Sequence, residues 1–309
     1  MTKIAFLFPG QGSQKPGMVK ELFDELSKPE QDVFEAAYPG IIKAVYSEDK
    51  ADTDAMAAQL VYVSGLLSAR ACVDGGIVPD QLAGFSLGEI TALSFSEVFS
   101  AADSNKILAD RTTAMYKASA EIDGAMAAVN GLSVAKIQSV LDEFPTVYAV
   151  NYNSPQQTVI SGLRSDLTEA AAQLKAAGGK VIILNVKGAF HTPYMASAGQ
   201  ALTKVLAKTG AGSFKYQVLS NIDARVYPQT QQEIKARIIQ QVTSPVRFTD
   251  MIENLYESGV RIFIETGYGR TLQSLVQRIL PQGDVLTGGV SDRTSLDAMI
   301  QKMKEKINV

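Results

Sequence analysis

Apolar residues along this chain bunch into short runs, and stretches with helical spacing separate the runs. Residues 3–8 (K-I-A-F-L-F) have the pattern of a buried strand, closed by P-G-Q-G-S-Q. Helical spacing follows over 16–27 and 29–38, then over 54–74, where Asp52 or Thr53 is placed to cap the helix. Gly75, Gly76 and Pro79 interrupt the chain before a short apolar run at 81–85. A glycine-flanked serine comes next. Helices over 87–97 and, capped by Ser100, up to 118 complete this part. Buried strands alternating with helices predict an α/β fold with a mainly parallel sheet.

Between 120 and 188 the rhythm changes. A-M-A-A-V-N-G reads as a strand and S-V-A-K-I-Q-S-V-L-D-E-F as an amphipathic helix. V-Y-A-V-N-Y and Q-T-V-I-S-G read as two strands joined by a turn at Asn153–Pro155. A helix ending in glycine (S-D-L-T-E-A-A-A-Q-L-K-A-A-G) and a strand (K-V-I-I-L-N-V) follow. The order βαββαβ is the ferredoxin-like arrangement. Beyond it, His191 is expected to open a helix with Pro193 in its first turn. Strands at 216–220, 260–265 and 284–288 then alternate with helices at 230–243, 245–257, 270–280 and 293–306. The expected fold is an α/β-hydrolase-like large domain over 1–120 and 189–309, with an inserted ferredoxin-like small domain over 121–188.

Composition narrows the function classes. A chain of 309 residues that is 46% hydrophobic can bury a large core. Its net charge of −3 and lack of a basic run argue against nucleic acid as a partner. The single cysteine, Cys72, excludes an internal disulfide, fits a reducing cytoplasm, and lies in an apolar stretch that suits a packing role. The run at residues 4–8 is too short for a signal peptide, and no apolar run reaches the length of a membrane span. There is one histidine, His191.

The chemistry centres on A-G-F-S-L-G-E-I-T-A-L, residues 83–93. G-x-S-x-G between a strand and a helix is the nucleophile-elbow pattern. Gly84 and Gly88 would let strand and helix approach closely, and the helix beginning at Leu87 would aim its free N–H groups toward Ser86. A serine hydroxyl needs a base, and the only imidazole is His191. The sequence does not single out a third, orienting acid; Asp250, Glu253 and Glu265 are the candidates. Ordinary α/β-hydrolases run Ser, acid, then a histidine near the end. Here the histidine stands at 191 of 309, so a plain esterase or lipase is disfavoured. The loop P-G-Q-G-S-Q (9–14) lacks the G-K-[ST] of a P-loop and the third glycine of a dinucleotide fingerprint. A backbone N–H lent to an oxyanion hole is a better use for it.

Taken together, these segments resemble the malonyl-CoA:acyl carrier protein transacylases and the acyltransferase domains of polyketide and fatty-acid synthases. The resemblance runs nearly end to end, through F-P-G-Q-G-S-Q (8–14), G-F-S-L-G-E (84–89), A-D-R-T-T-A-M (109–115), N-Y-N-S-P-Q-Q (151–157), G-A-F-H-T-P-Y-M (188–195), S-P-V-R-F (244–248) and I-E-T-G-Y-G-R (264–270). It implies that Ser86 accepts the acyl group and that His191 is the base, oriented by the backbone carbonyl of Gln241. It implies an oxyanion hole from the amides of Gln11 and Leu87, and a malonyl carboxylate held by Arg111, whose planar fork suits that task. Phe190 would leave little room for an α-methyl branch. The reaction implied takes malonyl from malonyl-CoA to acyl carrier protein in fatty-acid synthesis, with no metal or bound cofactor and a monomeric enzyme. The same chemistry with a polyketide or malonate-decarboxylase carrier, or an impaired carrier-binding module, are the other readings. Lys187 and Arg270 are candidates for a basic rim facing an acidic carrier. The chain departs from the family pattern at Phe85 (usually His), at Gln59-Leu60 (often Gln-Pro) and at Tyr268 (usually Pro).

Overall fold

The structure is a computed structural model, and it describes residues 2–12, 14–186 and 188–307. Among the described residues, nine strands form two separate sheets: β1 (Lys3–Phe8), β2 (Gln81–Gly84), β3 (Gly124–Asn130), β4 (Val147–Ser154), β5 (Gln157–Leu163), β6 (Lys180–Ile183), β7 (Gln217–Leu219), β8 (Val260–Thr266) and β9 (Leu286–Val290). The larger sheet has the order β7-β2-β1-β8-β9, and every pairing in it is parallel. Its three inner strands, β1, β2 and β8, are largely buried on both faces, which is why they carry apolar runs. Phe6, Phe8 and Leu82 point into one core, while Ala5, Leu7 and Ala83 point into the other. All five strands run the same way, so their carboxyl ends share one edge, where sites in open parallel sheets form.

The smaller sheet is antiparallel, in the order β4-β5-β3-β6, and is built wholly from residues 124–183. This is the ferredoxin-like order, and the mixed α/β class matches expectation. One face packs under the helices Val134–Leu141 and Arg164–Ala176, through residues such as Ile137, Ile160 and Leu174. The other face presents Met126, Val150 and Val159 to Phe190. The edge strand β4 also takes a short parallel pairing from the other part of the chain: Val246 N–H donates to Val150 O and Tyr152 N–H to Val246 O.

Several local expectations are corrected. The helix expected over 16–27 shrinks to Lys20–Asp24, because Gly17 (φ 72°) sits in a turn. A helix at Ile41–Tyr46 was not anticipated; the Glu35 carboxylate holds its start by accepting from the amides of Gly40 and Ile42. The long helix divides at Met56 into Lys50–Ala55 and Ala57–Asp74. Its cap is Asp49, accepting from Ala51 N, not Asp52 or Thr53; Asp52 pairs with Lys43 instead. The strand expected over 180–186 ends at Ile183, and the last strand begins at Leu286, where register with Ile262 of β8 starts. His191 does not open its helix: Thr192 caps a short 3₁₀ turn, Pro193–Met195, and the α-helix is Ala196–Leu206.

Candidate active site

Ser86 lies at the carboxyl end of β2, between that strand and the helix Leu87–Phe95. Its backbone is left-handed (φ 53°, ψ −104°), a conformation that costs energy for any residue but glycine. Sequence makes the bend possible at two points. A Cβ on Gly84 would fall 2.0 Å from the backbone of Gly88, and one on Gly88 would fall 2.0 Å from the carbonyl oxygen of Phe8. Two side chains hold the strained residue. Ser86 N–H donates to Asn221 Oδ1 at 2.8 Å, and Gln241 Nε2 donates to Ser86 O at 2.7 Å. Asn221 also ties back to the strand through Nδ2, at 2.6 Å from Gly84 O.

The Ser86 hydroxyl stands 2.7 Å from His191 Nε2. On the far side of the ring, Nδ1 is 3.1 Å from Gln241 O and 3.0 Å from Ser244 O. Carbonyls only accept, so Nδ1 carries the hydrogen and Nε2 is the lone pair facing Ser86. Gln241 is the last residue of the helix Gln231–Gln241, so its carbonyl lacks a partner within the helix and carries the negative end of the helix dipole. That charge favours an imidazolium forming on the ring. Burial of the ring, with the nearby Arg111 cation, pushes the resting His191 pKa down to about 4, so it is an unprotonated base at neutral pH. None of the three candidate acids orients it. Asp250 pairs with Arg247, Glu265 accepts from the amide of Gln273 at the start of another helix, and no hydrogen bond joins Glu253 to the ring.

Arg111 comes from the helix Ala101–Ser119 and is only 3% exposed. Its Nη2 is 2.8 Å from Gln241 Oε1 and 3.3 Å from Ser86 Oγ. Burial lowers its pKa to about 10, which leaves it cationic at neutral pH. No carboxylate pairs with it among the described residues, and its Nε is buried without a partner. Chemically, a buried cation with an unused donor beside a hydroxyl can pair with an anion brought to it. Leu87 begins the elbow helix, and the loop bearing Gln11 packs on the elbow: a Cβ on Gly10 would meet Phe85 O at 2.8 Å. The Gln11 side chain bonds Tyr116 Oη at 2.6 Å. Phe190 packs with Met115 and Met195 in one cluster and with Met126 and Val159 in another, so it bridges the two parts of the chain.

Phe85, where the family usually has histidine, packs its ring on Phe248 with centroids 5.6 Å apart, an apolar solution to the position before the nucleophile. Arg270 is exposed just before the helix Thr271–Ile279; Lys187 lies outside the described residues. Sequence reasoning missed Glu89, Asn221 and Ser244. Glu89 is fully buried, accepts from Tyr227 Oη, Asn221 N and Gln241 Nε2, and has its pKa raised to about 7 by burial. An acid within the otherwise apolar L-G-E-I-T-A-L was a signal available for it; Asn221 and Ser244 carried none.

Among the described residues, no group of three or more His, Cys, Asp or Glu is placed to hold a metal. No helix there is long and apolar enough to cross a membrane. A cavity of about 490 Å³ lies elsewhere, beside Phe34, Leu67, Phe95 and Tyr216, and contains none of the reactive groups.

An elbow serine, an imidazole held by carbonyls and a buried arginine on a parallel sheet define an acyl-transferring serine enzyme. Residues 5–307 match the family described as Acyl transferase domain, and the chain belongs to it. It is 35% identical to the malonyl CoA-acyl carrier protein transacylase of Bacillus subtilis, over 99% of each chain. It is 34% identical to a polyketide biosynthesis malonyl CoA-acyl carrier protein transacylase of Bacillus velezensis, over 89% of this chain and 96% of that one. Among solved structures, the acyl-carrier-protein S-malonyltransferase of Burkholderia pseudomallei superposes with a TM-score of 0.90 at 30% identity, covering 97% of this chain and 100% of that one. A malonyl-transacylase in complex with a type II polyketide acyl-carrier protein superposes at 0.88 with 28% identity, covering the same shares.

Proposed function

We propose that this protein moves a malonyl group from malonyl-CoA to the phosphopantetheine thiol of acyl carrier protein, through an ester on Ser86. The observation that carries the reading is one atom, Ser86 Oγ, within hydrogen-bond reach of both an unprotonated imidazole and an unpaired buried guanidinium. Ser86 Oγ attacks the thioester carbon as its proton passes to His191 Nε2. The amides of Gln11 and Leu87 take the oxyanion, and Arg111 takes the distal carboxylate. The carbon–sulfur bond breaks, and the departing thiolate of coenzyme A takes the proton from His191. The carrier thiol then gives its proton to His191 and attacks the ester, and Ser86 Oγ recovers that proton as it leaves. Gln241 and Ser244 carbonyls stabilise the imidazolium in both halves.

On this reading, residues 121–188 are an inserted small domain whose role is to complete the acyl pocket at Phe190. The enzyme works as a monomer without a resident metal or cofactor. Mixing the protein with malonyl-CoA should add one malonyl group at Ser86 by intact and peptide mass spectrometry. No adduct, or equal labelling by acetyl-CoA, would count against it. The polyketide-type relatives favour a second reading in which the carrier belongs to a polyketide pathway rather than fatty-acid synthesis. Transfer rates to purified carriers of the two kinds separate them.

A further inference from the structure

Gln241 touches three parts of the site with two different groups. Its backbone carbonyl meets His191, while its side-chain amide lies between Ser86 and Arg111. The amide cannot be turned around. Its Nε2 faces three oxygens, Ser86 O at 2.7 Å, Glu89 Oε2 at 3.1 Å and Asn221 Oδ1 at 3.4 Å. Reversal would set Oε1 against those acceptors and an NH₂ against Arg111 Nη2, opposing like with like. Oε1 must therefore face Arg111.

The anchor for this orientation is Glu89. Its Oε2 accepts both from Gln241 Nε2 and from the backbone N–H of Asn221, and its Oε1 accepts from Tyr227 Oη. Glu89 is thus fixed from three directions in a dry interior, where such a network is stiff. Apart from Gln241 Oε1, the Arg111 head has one contact among the described residues, Nη2 to Ser86 Oγ at 3.3 Å. Gln241 Oε1 arrests Nη2 and leaves the buried Nε without a partner.

We propose that the Gln241 side-chain amide, anchored by Glu89, is a specificity-determining positioning group: it aims the Arg111 fork at the acyl carboxylate. This rests on the reading of Arg111 as the partner of that carboxylate. The backbone carbonyl of Gln241 serves the base; Nε2 of its side chain steadies the Ser86 carbonyl for every acyl group alike, and Oε1 serves acyl selection, so the malonyl-to-acetyl ratio reports the last role by itself.

Gln241→Met keeps the carbonyl and the chain length but removes the amide. Michaelis constants are measured for acylation of Ser86 by malonyl-CoA and by acetyl-CoA. A charge-assisted contact made in ground and transition states alike shows in KM, so malonyl KM should rise about tenfold more than acetyl KM. Gln241→Asn withdraws the amide by one methylene and carries the same expectation, should the Met variant fail to fold. A merely structural role, a loosened Ser86 elbow included, would affect both acyl groups equally and leave the ratio of malonyl KM to acetyl KM unmoved, and that result overturns the proposal. Arg111→Ala is run alongside. If it abolishes malonyl preference while both Gln241 variants keep it, this inference alone fails. If Arg111→Ala leaves the preference unmoved, the carboxylate reading fails and takes this inference with it.

Discussion

The two sheets of this molecule contribute to one site in opposite ways. The parallel sheet supplies reactivity. It ends β2 in a strained serine, and everything that holds the strain, Asn221, Gln241 and the two elbow glycines, is buried. The antiparallel sheet supplies no reacting atom. It offers an apolar face to Phe190 and lends its edge strand β4 to Val246, two residues beyond the Ser244 carbonyl that holds His191. On the proposed function, the difference teaches that this fold separates the making of a nucleophile from the shaping of what it accepts. Strain needs a deep, doubly covered sheet to hold it. Selection, on the same proposal, would need only a wall and one cation.

That division can be broken from the reactive side first. His191→Ala removes the base and should slow Ser86 acylation by about 10⁴-fold for malonyl-CoA and acetyl-CoA alike. Stopped-flow or quenched mass measurements would show it, and an acyl-dependent loss would contradict the division. Next in size is Arg111→Ala. It should cost on the order of a hundredfold with malonyl-CoA and far less with acetyl-CoA, because only one substrate carries a carboxylate to pair.

A pH profile sharpens the same point. Burial and Arg111 disfavour the imidazolium, so the acid limb of kcat/KM should fall near pH 4 instead of 6.5, dropping tenfold per unit below it. In Arg111→Ala the limb should move up toward 6.5; a limb that stays in place would remove the arginine as a cause. The same shift bears on folding. Between pH 6.5 and 4 the unfolded chain takes a proton that folded His191 refuses, so this histidine makes stability rise with pH across that window. The smallest effect is expected from the selective wall. Phe190→Ala should raise acylation by a branched acyl-CoA severalfold relative to malonyl-CoA, since one methyl group in an apolar pocket carries only modest discrimination. No change would move the wall elsewhere.

Much of the reactive half was legible along the chain. The elbow could be read because its demands are local: a strand, a serine, and glycines two residues either side. His191 could be read because no other imidazole exists. Arg111 could not be read from its own surroundings, where it resembles any helical arginine; only the family resemblance singled it out. Glu89 was passed over although it stood inside the quoted motif. Asn221 lies 135 residues from the serine amide it holds, with nothing in its neighbourhood to mark it. The helical boundaries failed where a side chain of another segment decided them, as Glu35 did at Gly40.

The sequence by itself determined what short-range forces settle: which stretches bury two faces, where the backbone can turn left-handed, and which single residue can be the base. Tertiary structure decided who faces whom. It chose carbonyls over a carboxylate for His191, placed Gln241 between serine and arginine, and left a guanidinium buried with a donor unspent. Periodicity and backbone sterics act over a few residues, whereas a buried polar group takes its partners from whatever the finished fold brings within 3 Å or so.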